Sequence, residues 1–373
     1  MGELSVFFKF DTMRTLHKSF LFKLAVTLSL ALASTALAAD SRPPEPAVLV
    51  SEFIYEKAPY PQCHASTIVE TAAGDLVAAW FGGTRERDPD VGIWVSRHES
   101  DHWLESVEVA NGIQADGKRL PTWNPVLFQA PKGPLVLFYK VGPSPSAWWG
   151  MMTTSVDGGR TWEKPHRLPD GVLGPIKNKP VVLADGSWLS PSSTEGTPTG
   201  WRIQFEHSRD AGQTWEIIGP VDKGDKDIDA IQPSVLFYSD GRLQAICRTR
   251  MGALASTWSS DQAKSWSGLV PISLPNPNSG TDGVTLADGR QLIVYNHSAP
   301  PPERPTKGLR YPLDVALSKD GVDWQRVLTL ESEPNENGYA YPAVIQAADG
   351  KVHITYTWDR KRIKHVVLDP SKL

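Results

Sequence analysis

The chain has 373 residues and a formal net charge of −4. That length suits one large all-β domain or two ordinary ones, and that charge gives no sign of a broadly basic surface for nucleic acid. Fourteen Trp, 30 Gly and 31 Pro point to a turn-dense β protein and against a helical one, because Gly and Pro punctuate turns and Trp packs well on pleated surfaces.

The N-terminus reads as a targeting segment. Arg14, Lys18 and Lys23 precede the apolar run from Leu24 to Leu32, and Ala36-Leu37-Ala38 supplies a small-x-small cleavage pattern. A signal peptide is expected over residues 1–38, with Met13 a more natural start than Met1, and a mature domain over residues 39–373. The apolar run is short for a membrane span. The expectation is therefore a soluble protein without stable membrane insertion, exported to the periplasm or secreted.

Beyond this segment the sequence repeats at a little over fifty residues. One marker is Ser-x-Asp-x-Gly-x-Thr-Trp, at Ser155–Trp162 and Ser208–Trp215, with weaker copies at Ser259–Trp266 and Ser318–Trp324. Ser96–Trp103 keeps the spacing and lacks the Asp. A second marker is a tight turn between apolar strands, carrying Gly74, Gly133, Gly186, Gly241, Gly289 and Gly350. Each unit reads as four short antiparallel strands, A to D. The fourth spans roughly 232–238, 242–248, 252–260 and 266–272. Six such units predict an all-β, six-bladed β-propeller. The last unit shows three strands before the chain ends, so Val48–Tyr55 is expected to close its blade. Cys63 and Cys247 fall in blades one and four, too far apart for a bridge, and are expected to be free and buried.

In the repeated motif, Asp and Ser satisfy backbone N–H groups of a turn while Trp packs below it, so its role is architectural. These repeats resemble the Asp boxes of the sialidase (neuraminidase) superfamily, and the resemblance covers essentially the whole expected mature chain. It implies a glycoside hydrolase acting on a terminal acidic sugar, with the substrate carboxylate held by arginines. Arg248, which ends strand B of blade four, and Arg310, eight residues before the Ser of its Asp box, stand where that family has its second and third arginines. Tyr341 opens the last blade at the position of the nucleophilic tyrosine. The family's first arginine aligns with His64, and the glutamate that activates the tyrosine aligns with Gln232. The acid/base aspartate falls within Glu86-Arg87-Asp88-Pro89-Asp90, with Asp90 the first choice and Glu86 the second.

Strand direction supports the same set. Starts of strand A, ends of B and starts of C lie on one face of a propeller, and the Asp boxes lie on the other. That face collects His64, Asp90, Trp123, Asn124, Lys177, Lys179, Gln232, Arg248, Asp282, Asn296, Arg310 and Tyr341 as candidate catalytic or substrate-binding groups. Gln232 is no base, so Asp282 or His64 is a candidate helper of Tyr341. Two other readings stand beside hydrolysis: elimination or rhamnosidase-like chemistry on uronate-containing glycans, with His64 and Tyr341 as acid and base, and a carbohydrate-binding propeller without turnover. Cysteines and histidines lack ligand spacing and no Gly-rich phosphate loop precedes a helix, so neither metal nor cofactor is expected. The expected partner is an acidic glycan or glycoconjugate.

Overall fold

The computed structural model describes residues 46–196 and 200–373, and the leader expected over residues 1–38 lies outside them. The repeats fold into six antiparallel sheets, which are the six blades. Blade four pairs Ala230–Phe237, Leu243–Thr249, Ala253–Ser259 and Val270–Pro275 in that order; its outer strand starts beyond Trp266, which sits in the turn. Blade six takes Tyr339–Gln346, Val352–Trp358 and Arg362–Leu368 from the end of the chain. Its outer strand is Val48–Phe53, paired antiparallel to Arg362–Leu368, so the closure read from the sequence is present. Helical structure among the described residues is one 3-10 turn, Pro370–Lys372, and no helix among them is long and apolar enough to cross a membrane.

The core lies between blades rather than inside them. Every residue of the second strand of blade one, Leu76–Gly83, is buried, because both faces of an inner strand are covered by neighbouring sheets. Apolar clusters fill the six junctions in turn. Val77 and Tyr139 meet between blades one and two, Phe138 and Trp188 between two and three, and Phe205 and Ala245 between three and four. Ile246 and Tyr295 meet between four and five, Val294 and Tyr356 between five and six, and Trp80 and Ile363 between six and one. A blade removed from the ring would expose apolar surface on both sides, so the hydrophobic effect favours the closed ring.

The repeated motif does what its residue types dictate. In the first full copy Asp157 Oδ1 accepts from Arg160 N and Thr161 N, while Ser155 Oγ accepts from Gly159 N at 2.8 Å. The copies at Asp210, Asp261 and Asp320 repeat the pattern. In the degenerate copy Ser96 Oγ donates to Leu104 O instead. Cys63 and Cys247 are free and buried.

Candidate active site

Counting back nine residues from each turn glycine reaches Ala65, Asn124, Lys177, Gln232, Gly280 and Tyr341, one from each blade. At four of these the backbone is left-handed, with φ 56° at Ala65, 36° at Asn124, 58° at Gln232 and 54° at Tyr341. The first and second strands lose register at that point in the same four blades, so the same bulge recurs around the ring. Blades three and five differ: their inner strands start only at Val181 and Asp282, leaving Lys177 and Gly280 before them. The positions converge closely. A Cβ built on Gly280 would come within 3.1 Å of both Lys177 Cε and Tyr341 Cδ2 and within 3.2 Å of Gln232 Oε1, so glycine at this place leaves room for its neighbours.

Tyr341, Gln232 and Arg248 form one hydrogen-bonded unit. Arg248 Nη1 donates to the Tyr341 hydroxyl oxygen at 2.7 Å and to Gln232 Oε1 at 3.3 Å. An arginine only donates, so it fixes the amide with its oxygen toward Arg248 and its nitrogen toward Tyr341. Gln232 Nε2 therefore donates to the same phenolic oxygen at 3.3 Å. Arg248 Nε is held by Asn278 Oδ1 at 2.7 Å, and its guanidinium lies 5.3 Å from the Trp201 ring.

Three cations surround the Tyr341 ring: Arg310 at 5.5 Å, Arg248 at 5.7 Å and Lys177 at 5.8 Å. None is ion-paired within the described residues. Burial brings the Arg310 guanidinium down to about 10, with Arg248 and Arg360 adding to the effect against the opposing pull of Tyr341 and Glu86. Burial also brings Lys177 down to about 7, opposed by Asp282 and reinforced by Lys179 and Arg248. His64 packs against Tyr341 with ring centroids 4.2 Å apart and planes tilted by 47°, and its Nδ1 lies 3.0 Å from Thr357 Oγ1. Burial first, then Arg360, Arg310, Arg248 and Lys177, hold its pKa well below the usual imidazole value. The ring is thus a neutral imidazole in a cationic pocket.

Several expected site residues serve the scaffold instead. Asp282 is 2% exposed and accepts from Ser234 Oγ, Val344 N and Lys179 Nζ, each at 2.9 Å. Both its oxygens are committed to tying blades three to six together, so it is no helper base for Tyr341. Lys179 spends its ammonium on Asp282 and Gly283 O. Lys177 Nζ turns inward to Asn178 Oδ1, Thr281 O and Pro342 O. Asn296 is fully buried and donates to Pro312 O and Tyr339 O. Trp123 is buried beneath Trp148 and donates to Gly142 O. Asp90 is exposed, and its Oδ2 caps its own loop through Thr84 N at 2.9 Å and Thr84 Oγ1 at 2.8 Å. Asp88 pairs with Arg85. Among the described residues no group of three or more His, Cys, Asp or Glu is placed to hold a metal.

Residues 74–354 match the BNR repeat-like domain family. The chain belongs to this family. Among solved structures it is similar to a protein of unknown function from Dyadobacter fermentans, with 17% identity and a TM-score of 0.71, over 87% of this chain and 99% of that one. It is also similar to the intramolecular trans-sialidase of Ruminococcus gnavus, with 12% identity and a TM-score of 0.68 over 88% and 99% of the two chains. The NanB sialidase of Streptococcus pneumoniae matches at 12% identity and a TM-score of 0.65, over 86% and 71%. No curated protein matches the sequence. The fold is thus a sialidase-like BNR-repeat propeller.

Blade one carries neither an amide nor a tyrosine at its bulge. Its ring position is Ala65, and His64 lies one residue before it. A further guanidinium comes from blade six instead: Arg360, in the turn between Val352–Trp358 and Arg362–Leu368, donates to Glu86 Oε2 at 2.5 Å and acts electrostatically on both His64 and Arg310. Sequence reasoning passed over Arg360, as it did Glu195 and Trp201 in the hairpin of blade three. The rule that strand-B ends and strand-C starts lie on the site face would have found all three.

Proposed function

We propose that the protein is an exported glycosidase that removes a terminal acidic sugar of the sialic acid class from a glycan or glycoconjugate. The observation that carries this reading is the placement of Arg248 and Arg310 around Tyr341 without a carboxylate partner among the described residues. Buried charge without a counter-ion is costly, and a ligand carboxylate would supply that counter-ion to two guanidinium forks. Arg360 flanks them from blade six.

Tyr341 is the nucleophile in this reading. Its oxygen accepts from Arg248 and Gln232, the residue is half-buried, and in this reading its proton passes to solvent as the bond forms. A tyrosine suits an anionic sugar, since a carboxylate in its place would repel the substrate. Gln232 donates rather than accepts and does not serve as a base. The elimination reading is less favoured, because an imidazole kept neutral by burial and by four nearby cations is a weak proton acceptor.

The test is release of fluorophore from a 4-methylumbelliferyl α-sialoside by the mature protein across pH 4 to 8. The expected result is turnover that is abolished in Tyr341→Phe and weakened through KM in Arg310→Ala. Calorimetric binding of free sialic acid without turnover at any pH would replace this reading with that of a carbohydrate-binding propeller. Neither binding nor turnover would refute it.

A further inference from the structure

Glycosidic cleavage needs an acid to protonate the departing oxygen, and the carboxylates first considered for that task are otherwise engaged. Asp90 caps Thr84 and Glu86 is held by Arg360. We infer that Glu195 is the proton donor, an assignment that rests on the glycosidase reading above.

Glu195 sits near the end of Trp188–Gly196 in blade three and is paired in register with Trp201 on the returning strand Gly200–Ser208. Directly opposed residues of an antiparallel pair stand about 5 Å apart on the same side of the sheet, so Glu195 lies beside the Trp201 ring. That ring carries Arg250 at 3.8 Å and Arg248 at 5.3 Å, and Arg248 in turn donates to Tyr341. Glu195 is therefore one aromatic ring away from the hydrogen-bonded unit of the nucleophile. Its carboxyl group makes no hydrogen bond or ion pair within the described residues, unlike Asp90, Glu86, Asp88 and Asp282. The charges facing it are Arg248 and Arg250 from blade four, and Glu86 and Arg87 from the loop of blade one. Burial outweighs the arginines and raises its pKa, and Glu86 adds to the rise. A carboxyl group so placed stays protonated further toward neutral pH than an exposed glutamate, as a donor must.

In the step itself the Glu195 O–H bond breaks and its proton joins the glycosidic oxygen. The C–O bond breaks, its electron pair stays with that oxygen, and the alcohol leaves. The anomeric carbon bonds to the Tyr341 oxygen, whose proton has gone to solvent. Glu195, now a carboxylate, takes a proton from the water that displaces Tyr341 in the second half, and the tyrosine regains its proton from solvent.

The experiment compares Glu195→Gln and Glu86→Gln with wild type on two sialosides that differ in the leaving group. A methylumbelliferyl group leaves unaided, and the lactose of 3′-sialyllactose needs a proton. Loss of a general acid costs about 100-fold or more on the demanding substrate. The expected result is that loss for Glu195→Gln on sialyllactose, less than about tenfold on the aryl sialoside, and removal of the alkaline limb of the pH profile. Thermal midpoints of both variants, and formate rescue of Glu195→Ala, separate chemistry from misfolding. Equal losses on both substrates, no loss, or leaving-group dependence in Glu86→Gln instead would overturn the assignment while leaving the glycosidase reading intact. Wild-type protein inert on both substrates would overturn the two together.

Discussion

His353 makes a quantitative test of how the ring is closed. It is 8% exposed in Val352–Trp358, with Nδ1 3.0 Å from His365 Nε2. His365 Nδ1 in turn lies 2.9 Å from Glu52 Oε1 on the N-terminal closing strand, and Trp103 of blade one donates to the same oxygen at 3.1 Å. The line from His353 to Trp103 therefore joins blade six, the closing strand and blade one. Burial, followed by the neighbouring His365, brings His353 down to about 4. Between that value and the unfolded imidazole's value of about 6.5 the unfolded chain binds more protons than the folded one, so stability is full above pH 6.5 and lost on acidification. For a single site the loss between pH 7.5 and 4.5 is about 2.5 kcal/mol. Urea unfolding of wild type and His353→Gln at both pH values measures it. The cost of the substitution itself cancels in the difference, as do the contributions of His64, His98, His207 and His297, all lowered in the same direction. The variant should lose about 2.5 kcal/mol less than wild type on acidification. An identical acid loss in the two proteins would refute the reasoning.

Three further outcomes are expected. Gln232→Glu replaces a donor by an acceptor between Arg248 and the Tyr341 hydroxyl, and should raise kcat on an aryl sialoside by about tenfold or more, as general-base assistance does. Gly280→Ala forces Lys177, Tyr341 or Gln232 aside by a few tenths of an ångström; kcat should fall about tenfold, with the thermal midpoint changing little. Asp157→Ala removes the acceptor for Arg160 N and Thr161 N on the face opposite the mouth, so calorimetry should show a lower melting midpoint while kcat/KM is unchanged.

The fold was legible because its signals are local and repeated. A Ser-x-Asp turn needs no distant partner to form, six glycines at matched spacing set the blade count, and a last unit with three strands called for the closing one. The ring positions Gln232 and Tyr341 were legible for the same reason, whereas their neighbour Arg248 came from the family resemblance, with strand direction in support. What failed was the step from the right end of a strand to the right side of it. Asp282 and Lys179 stand near strand starts yet satisfy each other inside the ring. Asn296 ends its strand as Arg248 does in blade four, yet its amide nitrogen is spent on backbone carbonyls of blades five and six. Asp90 belongs to a loop whose own turn needs a cap. Arg360 was hidden because the departure at blade one is answered from blade six, a neighbour across the closure and nearly the whole sequence away.

The mouth concentrates what the rest of the molecule avoids. Four non-glycine residues in one ring adopt the left-handed backbone, at about 1–2 kcal/mol each, and two guanidiniums stand there without an ion-pair partner among the described residues. Against a net folding stability of about 5–15 kcal/mol the backbone strain alone is a large local cost, and such strain persists only where the surroundings over-determine it. Here the surroundings are the six apolar junctions between blades, which fix each inner strand from both sides and leave its first residues no alternative register. A bulge that turns Asn124, Gln232 and Tyr341 alike is then a property of the blade, whereas the chemistry is a property of which residue each blade carries there. The same scaffold position holds a tyrosine in one blade, an amide in two, and in blade one an alanine that makes room for a histidine beside it. That division explains how a propeller at 12% identity to solved sialidase-type structures keeps their architecture while its blades carry different residues at the shared position.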